Sequence, residues 1–311
     1  MDNMTHGLAA ALVARAGFSQ RMGWRATAAL VIAGEFPDVD YALRLGGLPF
    51  FLEYHRGFTH SLLGAAVLAL PLGWLFWKLS GGKRYWPWAG LCFLGILLHI
   101  LLDLITSFGT MVLYPLTSTR YAWDLLFIID PFLTGIILSS FLATYLLKNR
   151  SIVPARIGLA LFAGYLLLAA FNHAQALSRT KAAALAEGHQ VLKAAALPVP
   201  LSPFRWSGVV EAEEATYQTA FSILDQTPLT FVAYPRMNLN GPLKSAEDEE
   251  SVHLFRWFAR FPVTEVKGDG RLRVVEYFDL RFHVVPGRKP FLVRVVLDEE
   301  GRVVKSGFAG L

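Results

Sequence analysis

Long apolar runs separated by short polar connections fill the first 180 residues, after which the pattern changes period. Four runs stand out, residues 62 to 77, 85 to 102, 125 to 147 and 157 to 177. A bilayer core of about 30 Å needs roughly 20 apolar residues per helical crossing, so each of these predicts a membrane helix. Two shorter segments, residues 7 to 18 and 24 to 36, come first. At the helical rise they reach only about 20 Å, which predicts a tilted or half-buried hairpin. The pattern therefore predicts about six membrane segments over residues 1 to 177, with a kink at Asp130-Pro131 in the fifth.

Beyond residue 177 the helical period weakens. Residues 178 to 197 are rich in alanine and predict a surface helix, and PVPLSP, residues 198 to 203, predicts a linker. From 204 to 311, stretches such as TYQTAFSI, LTFVAY, RLRVVEYF, RFHVVP and FLVRVVLD alternate with turn signals GDG, PGRKP and DEEG. That spacing predicts strands, with VHLFRWFAR as a short helix. The expected architecture is an all-α membrane domain followed by a smaller β-rich α+β domain outside the cytoplasm.

Composition supports the membrane reading. The 311 residues are 54% hydrophobic and 17% charged, with a mean hydropathy of +0.42, too apolar for an ordinary soluble domain. The net charge of +5 comes from scattered cations, the pattern of cytoplasmic loops, so no nucleic-acid partner is expected. Arg15, Arg21 and Arg25, then Lys78, Lys83 and Arg84, then Lys148, Arg150 and Arg156 fall on alternate connections. By the positive-inside rule these face the cytoplasm, and residues 36 to 61 and 103 to 124 face outward. The single Cys92 excludes a disulfide framework and a cysteine-based zinc site. The N-terminal segment has an acidic residue where a signal peptide carries basic ones, so it is expected to remain in the mature chain.

Ionisable groups beside a membrane are costly and demand a partner or a task. Here they are His6, Asp38 and Asp40 in FPDVDY, His55 and His60 in YHRGFTHS, and His99 and Asp103 in HILLD. Charge counting, which ignores these residues, brings all seven to the outward ends of their segments. His99 and Asp103 are four apart and share a helix face, a spacing used for paired metal ligands. Asp38 and Asp40, two apart after Pro37, project to one side if that segment is extended. Histidine and carboxylate without cysteine suit Zn²⁺, Mn²⁺ or Fe²⁺, and seven candidates allow one or two ions. Arg56 is the candidate for stabilising phosphoryl charge and Asp40 for accepting a proton. Glu35 and Glu53 are weaker supporting candidates, and Ser61 is read as a helix N-cap.

An early THG, FPDVDY, HRGFTHS and an HxxxD inside an apolar helix resemble the YdjM-like inner-membrane metal-dependent hydrolases, and PLSPFRW, FRWFARFP and FDLRF resemble that family's longer members. The resemblance implies a membrane-bound hydrolase. A more remote similarity to zinc-dependent phospholipase C and the P1-type nucleases implies ligation by His6, Asp38, His55 or His60, His99 and Asp103, with a phosphoester substrate. Those enzymes use a second HxxxD or HxxxE helix, which this chain lacks. The expected partners are the bilayer and a small-molecule or lipid substrate. Two other classes fit the same residues: a metal or proton-coupled transporter, and a scaffold with a structural metal site.

Overall fold

In the computed structural model, residues 1 to 82, 84 to 147, 151 to 268, 272 to 285 and 287 to 309 are described. Lys83, Lys148 and Arg150 of the orientation argument, and the turn residues Asp269, Gly270 and Pro286, lie outside them. The chain divides into two compact units, one of residues 1 to 43 and 54 to 171, the other of residues 44 to 53 and 172 to 311.

The first unit is helical. Helix α1 (Asn3–Val13) is capped by Asp2, whose carboxylate accepts from the Thr5 N–H, and leads through a π-turn (Ala14–Phe18) into a single turn, α2 (Ser19–Met22). Helix α3 (Trp24–Glu35) is followed by a 3₁₀ segment, Phe36–Gly46, and by α4 (Leu48–Tyr54), of which residues 44 to 53 belong to the second unit. A 3₁₀ turn, Phe58–His60, then delivers the chain to α5 (Leu62–Ser80), and α6 (Trp86–Leu104), α7 (Pro131–Leu146) and α8 (Val153–Ala186) follow. Ser61 is the N-cap of α5, accepting from the Gly64 N–H, as its sequence position predicts.

Among the described residues three helices are long and apolar enough to cross a membrane, α5, α6 and α8, and α7 is a shorter apolar helix. The expectation of six segments is corrected accordingly. Helices α1 and α3 have 11 and 12 residues, too few to span a bilayer core. Asp130-Pro131 is not a kink inside a helix. Asp130 caps α7 with its side chain and Pro131 takes the first turn, where the missing N–H costs nothing.

Two close approaches shape the helical core. A Cβ on Gly95 would stand 2.7 Å from the Leu30 carbonyl oxygen, and one on Gly64 only 1.8 Å from that of Phe58. Glycine at these points lets α6 lie directly against α3 and lets the 58 to 60 turn fold back over the start of α5. Around them, Ala29, Ala33, Ala65, Ala69, Cys92 and Ile96 form the buried core.

The second unit carries two four-stranded antiparallel sheets. The first runs β1 (Lys193–Pro198), β2 (Arg205–Glu211), β3 (Ala215–Ser222) and β4 (Val232–Pro235). Helix α9 (Glu250–Phe258) precedes β5 (Pro262–Lys267), β6 (Arg273–Asp279), β7 (Leu292–Leu297) and β8 (Val303–Ala309). Residues 178 to 197 thus divide differently from their composition. The helix continues from α8 only to Ala186, and Ala194 to Leu197 pair with β2, burial in the sheet outweighing the helix preference of alanine. Residues 199 to 203 of PVPLSP are the connection inside that hairpin, not a domain linker, and the described residues 281 to 285 of RFHVVP form turns where a strand is expected.

Candidate metal centre

Helix α6 brings His99 and Asp103 to its last turns, one helical step apart, with Nε2 and Oδ2 separated by 3.5 Å. The turn after α4 brings His60 over them: its Nε2 lies 3.1 Å from His99 Nε2 and 3.3 Å from Asp103 Oδ2. Asp38 closes the group, Oδ1 standing 3.6 Å from Nε2 of both histidines. Donor atoms of these four residues all lie within 4.8 Å of one another. In a tetrahedral site with bonds of about 2.0 to 2.1 Å, donor atoms sit roughly 3.3 Å apart. The five separations just given bracket that value. Asp103 Oδ2, buried and without a hydrogen-bond partner, points into this group. The donor set therefore fits one divalent cation, and its all-oxygen-and-nitrogen chemistry admits Zn²⁺, Mn²⁺ or Fe²⁺.

Hydrogen bonds behind the donors set their orientation. His99 Nδ1 donates to the Gly34 carbonyl at 2.6 Å, which leaves the Nε2 lone pair facing inward. This bond depends on the close packing of α6 on α3. His60 Nδ1 is held by Thr59 Oγ1 at 2.9 Å and Asp40 Oδ2 at 3.3 Å. Asp40 is the hub of the loop, for its Oδ1 binds His55 Nδ1 at 2.7 Å and its Oδ2 accepts from the Arg56 N–H and the Thr59 hydroxyl.

The expectation that Asp38 and Asp40 project to one side is thereby corrected. They stand on a 3₁₀ segment, where three residues complete a turn and positions two apart diverge by about 240°. Asp38 enters the donor group and Asp40 turns to the loop. Both oxygens of Asp40 are engaged, Oδ1 by His55 and Oδ2 by the Arg56 N–H and the Thr59 hydroxyl. His55 is fixed on Asp40 between the rings of Tyr41 and Phe108 and contributes no atom to the donor group.

His6 stacks on His99 with ring centroids 3.7 Å apart, and its Nε2 lies 3.3 Å from Asp103 Oδ1. The same oxygen takes the Arg56 guanidinium at 2.8 Å and contacts the Met1 amino group. Arg56 also reaches Thr106 Oγ1 at 3.2 Å and lies over Phe108. In the structure it supplies the countercharge that a buried carboxylate needs. Its backbone adopts φ +59, a region rare for side chains other than glycine. The Asp40 carboxylate and the Met111 N–H, which donates to the Arg56 carbonyl, hold it there. Glu35 accepts from the Gly7 N–H and the Asn3 side chain, serving the first turns of α1, while Glu53 belongs to the second unit.

Sequence reasoning passed over Gly34, Thr59 and Thr106. Thr59 was readable from its place between Arg56 and His60 in RGFTH. Gly34 was not, because it acts through its carbonyl, a group that every residue has.

Electrostatics favour a cation. Burial alone would raise the carboxyls of Asp38 and Asp40, but hydrogen bonds from His60, and from His55 to Asp40, outweigh it and hold both below the ordinary aspartate range. Burial likewise opposes charge on His60, yet the carboxylates of Asp103, Asp38 and Asp40 around it raise its pKa to about 10. The cluster without an ion therefore keeps a proton on His60 at neutral pH, and an entering metal must displace it. Metal uptake at pH 7 is expected to release about one proton per ion, with affinity rising as pH rises toward that pKa. Calorimetric Zn²⁺ titrations in two buffers of different ionisation enthalpy measure this, and equal heats in both would contradict it.

Fold and site together define a membrane protein with a buried histidine and aspartate cluster at one end of its helices. Residues 1 to 176 match the model of the YdjM inner membrane protein family, and the chain belongs to that family. It is also similar to the "Uncharacterized protein YfhP" of Bacillus subtilis (strain 168), with 28% identity over 143 residues, 43% of each chain. The chain thus spans less than half the length of this relative. No solved structure matches. All seven residues of the predicted cluster lie inside the family segment.

Proposed function

We propose that the protein is a membrane-bound, metal-dependent hydrolase of a phosphoester, with a lipid-linked substrate best suited to a site at the membrane surface. The observation that carries this reading is the convergence of Asp38, His60, His99 and Asp103 on one point. A divalent ion bound there would supply Lewis acidity and an activated water. Asp40 and Thr59 orient His60, the Gly34 carbonyl orients His99, and Arg56 keeps Asp103 ionised. Asp38 is the least buried of the four, which makes its side the route for water and substrate. His55, paired with Asp40 in the manner of a base and its orienting carboxylate, is the proposed proton-transfer residue. Arg15, Arg25, Lys78 and Arg156 lie toward the opposite helix ends, supporting an extracytoplasmic position for the cluster.

A structural metal site is the second reading, favoured by a specific observation: four protein donors already complete a tetrahedron, the arrangement of non-catalytic zinc. A transporter is less suited, because the cluster occupies helix ends and not the mid-depth of several broken helices. Elemental analysis of the purified protein, with phosphomonoester and phosphodiester assays of wild type and His99→Ala, separates these outcomes. The hydrolase reading expects about one divalent ion per chain and turnover that disappears in the variant. Stoichiometric metal with no turnover across the panel would favour the structural reading, and absence of metal would sink both.

A further inference from the structure

At the helix ends away from the metal cluster the first unit holds a cavity of about 890 Å³, lined by Phe18, Arg21, Met22, Arg84, Trp88 and Leu91 among others. Its wall is apolar and continuous with the helical core: Trp88 and Leu91 are buried members of that core, and Phe18, Met22 and Leu94 pack against it. Its polar component is cationic. Arg21 and Arg84 are exposed, and among the described residues neither has a carboxylate or hydrogen-bond partner. Both line the cavity, so an anion entering it meets two positive charges. Of the other described cations toward this end, Arg25 lies over Trp24, Lys78 lies over Trp74 and Trp77, and Arg156 donates to the Ala16 carbonyl.

The surroundings define the anion. Acidic residues sit at the other helix ends, where Asp2 caps α1, Glu35 ends α3 and Asp130 caps α7. Trp24 and Trp86, each 73% exposed, flank the cavity in sequence, and indole rings favour the level of lipid headgroups. A guanidinium pair suits a phosphate, which accepts bidentate hydrogen bonds. The apolar wall of Phe18, Met22, Leu91 and Leu94 suits acyl chain and not water. A soluble anion would use the arginines and leave that wall unfilled.

We propose that this cavity binds the phosphate headgroup of an anionic phospholipid, with the upper part of an acyl chain against the apolar wall. Basic pockets between membrane helices take such headgroups, and the volume falls within the range of about 300 to 1,000 Å³ usual for ligand sites. The site is separate from the metal cluster, and this inference does not rest on the hydrolase reading. Its consequence is that the protein is stabilised, by mass action, in a leaflet rich in anionic lipid.

The test is native mass spectrometry and thermal unfolding of the full chain in neutral detergent, with phosphatidylglycerol, phosphatidylcholine or inorganic phosphate added. Wild type is expected to retain phosphatidylglycerol and to unfold a few degrees higher with it, and to respond to neither of the others. R21Q/R84Q should reduce retained phosphatidylglycerol on the order of tenfold, while R21K/R84K keeps most of it. Arg25→Gln, which changes a cation outside the cavity, should bind as wild type does. Equal retention of phosphatidylcholine, an equal response to inorganic phosphate, or undiminished binding by R21Q/R84Q would each overturn the proposal. Lipid retention is read on the intact mass of the folded chain, so a loss of stability in one variant does not obscure the result.

Discussion

Asp103→Ala is expected to remove stoichiometric metal and to destabilise the helical unit by about 3 to 5 kcal/mol, the cost of leaving a buried charge without its partner. Asp103 is fully buried and serves two sets of groups. Its Oδ2 faces His60 and His99, and its Oδ1 holds Arg56 and faces His6. Truncation therefore deletes a donor and strands the Arg56 guanidinium in the interior. Asp103→Asn keeps the shape but not the charge, and should lose metal while unfolding less readily than the alanine variant. Metal content by elemental analysis and denaturant unfolding in detergent measure the two effects separately. Wild-type metal content in Asp103→Ala would remove this residue from the centre.

Asp40→Ala is expected to weaken metal affinity about 10-fold to 100-fold, the usual effect of removing a group that orients a ligand, although Asp40 donates no atom to the cluster. Its carboxylate gathers His55, Thr59, the Arg56 N–H and His60. Without it the loop from 55 to 60 loses the side-chain hub that ties these groups together, and the left-handed backbone at Arg56 loses one of its two restraints. His60 would then sample several orientations. His60→Ala, by contrast, should abolish binding, and His55→Ala should leave metal content near wild type. Competition titration with a chromogenic chelator measures the affinities. An unchanged dissociation constant in Asp40→Ala would show that His60 is held by packing alone.

These expectations depend on a distinction that the residue types do not make. The sequence presents seven histidine and aspartate side chains with similar claims. Only His99 and Asp103 are related by a regular period, and they are the pair whose juxtaposition the helix dictates. Asp38 and Asp40 exchange their expected equivalence for opposite roles, because the segment coils as 3₁₀ instead of extending. His55 and His60 are separated by the turn at Phe58–His60, which sends one to the hub and the other to the donors. Arg56 resembles a free phosphate clamp in sequence, and burial beside Asp103 makes it a counterion.

The membrane spans show the same division. Apolar run and length identify α5, α6 and α8 directly, since crossing a bilayer requires both. The runs of α1 and α3 are too short, and the turn chemistry at Asp130-Pro131 starts a helix. In the second unit, alternation locates β3, β6 and β7, whereas β1 is hidden in an alanine-rich stretch because its strand form depends on pairing with β2.

By itself, then, the sequence determined what local chemistry and period can determine: a membrane-embedded helical half, a β-rich remainder, and a set of ionisable residues that lipid surroundings would not tolerate without a purpose. Tertiary structure decided which of them meet. That choice depends on α6 packing on α3 through Gly34 and Gly95, on the 58 to 60 turn folding over Gly64, and on the twist of a 3₁₀ segment. The first is a contact between residues distant in the chain and the other two are local departures from regular helix or strand, and neither kind has a hydrophobic period to read.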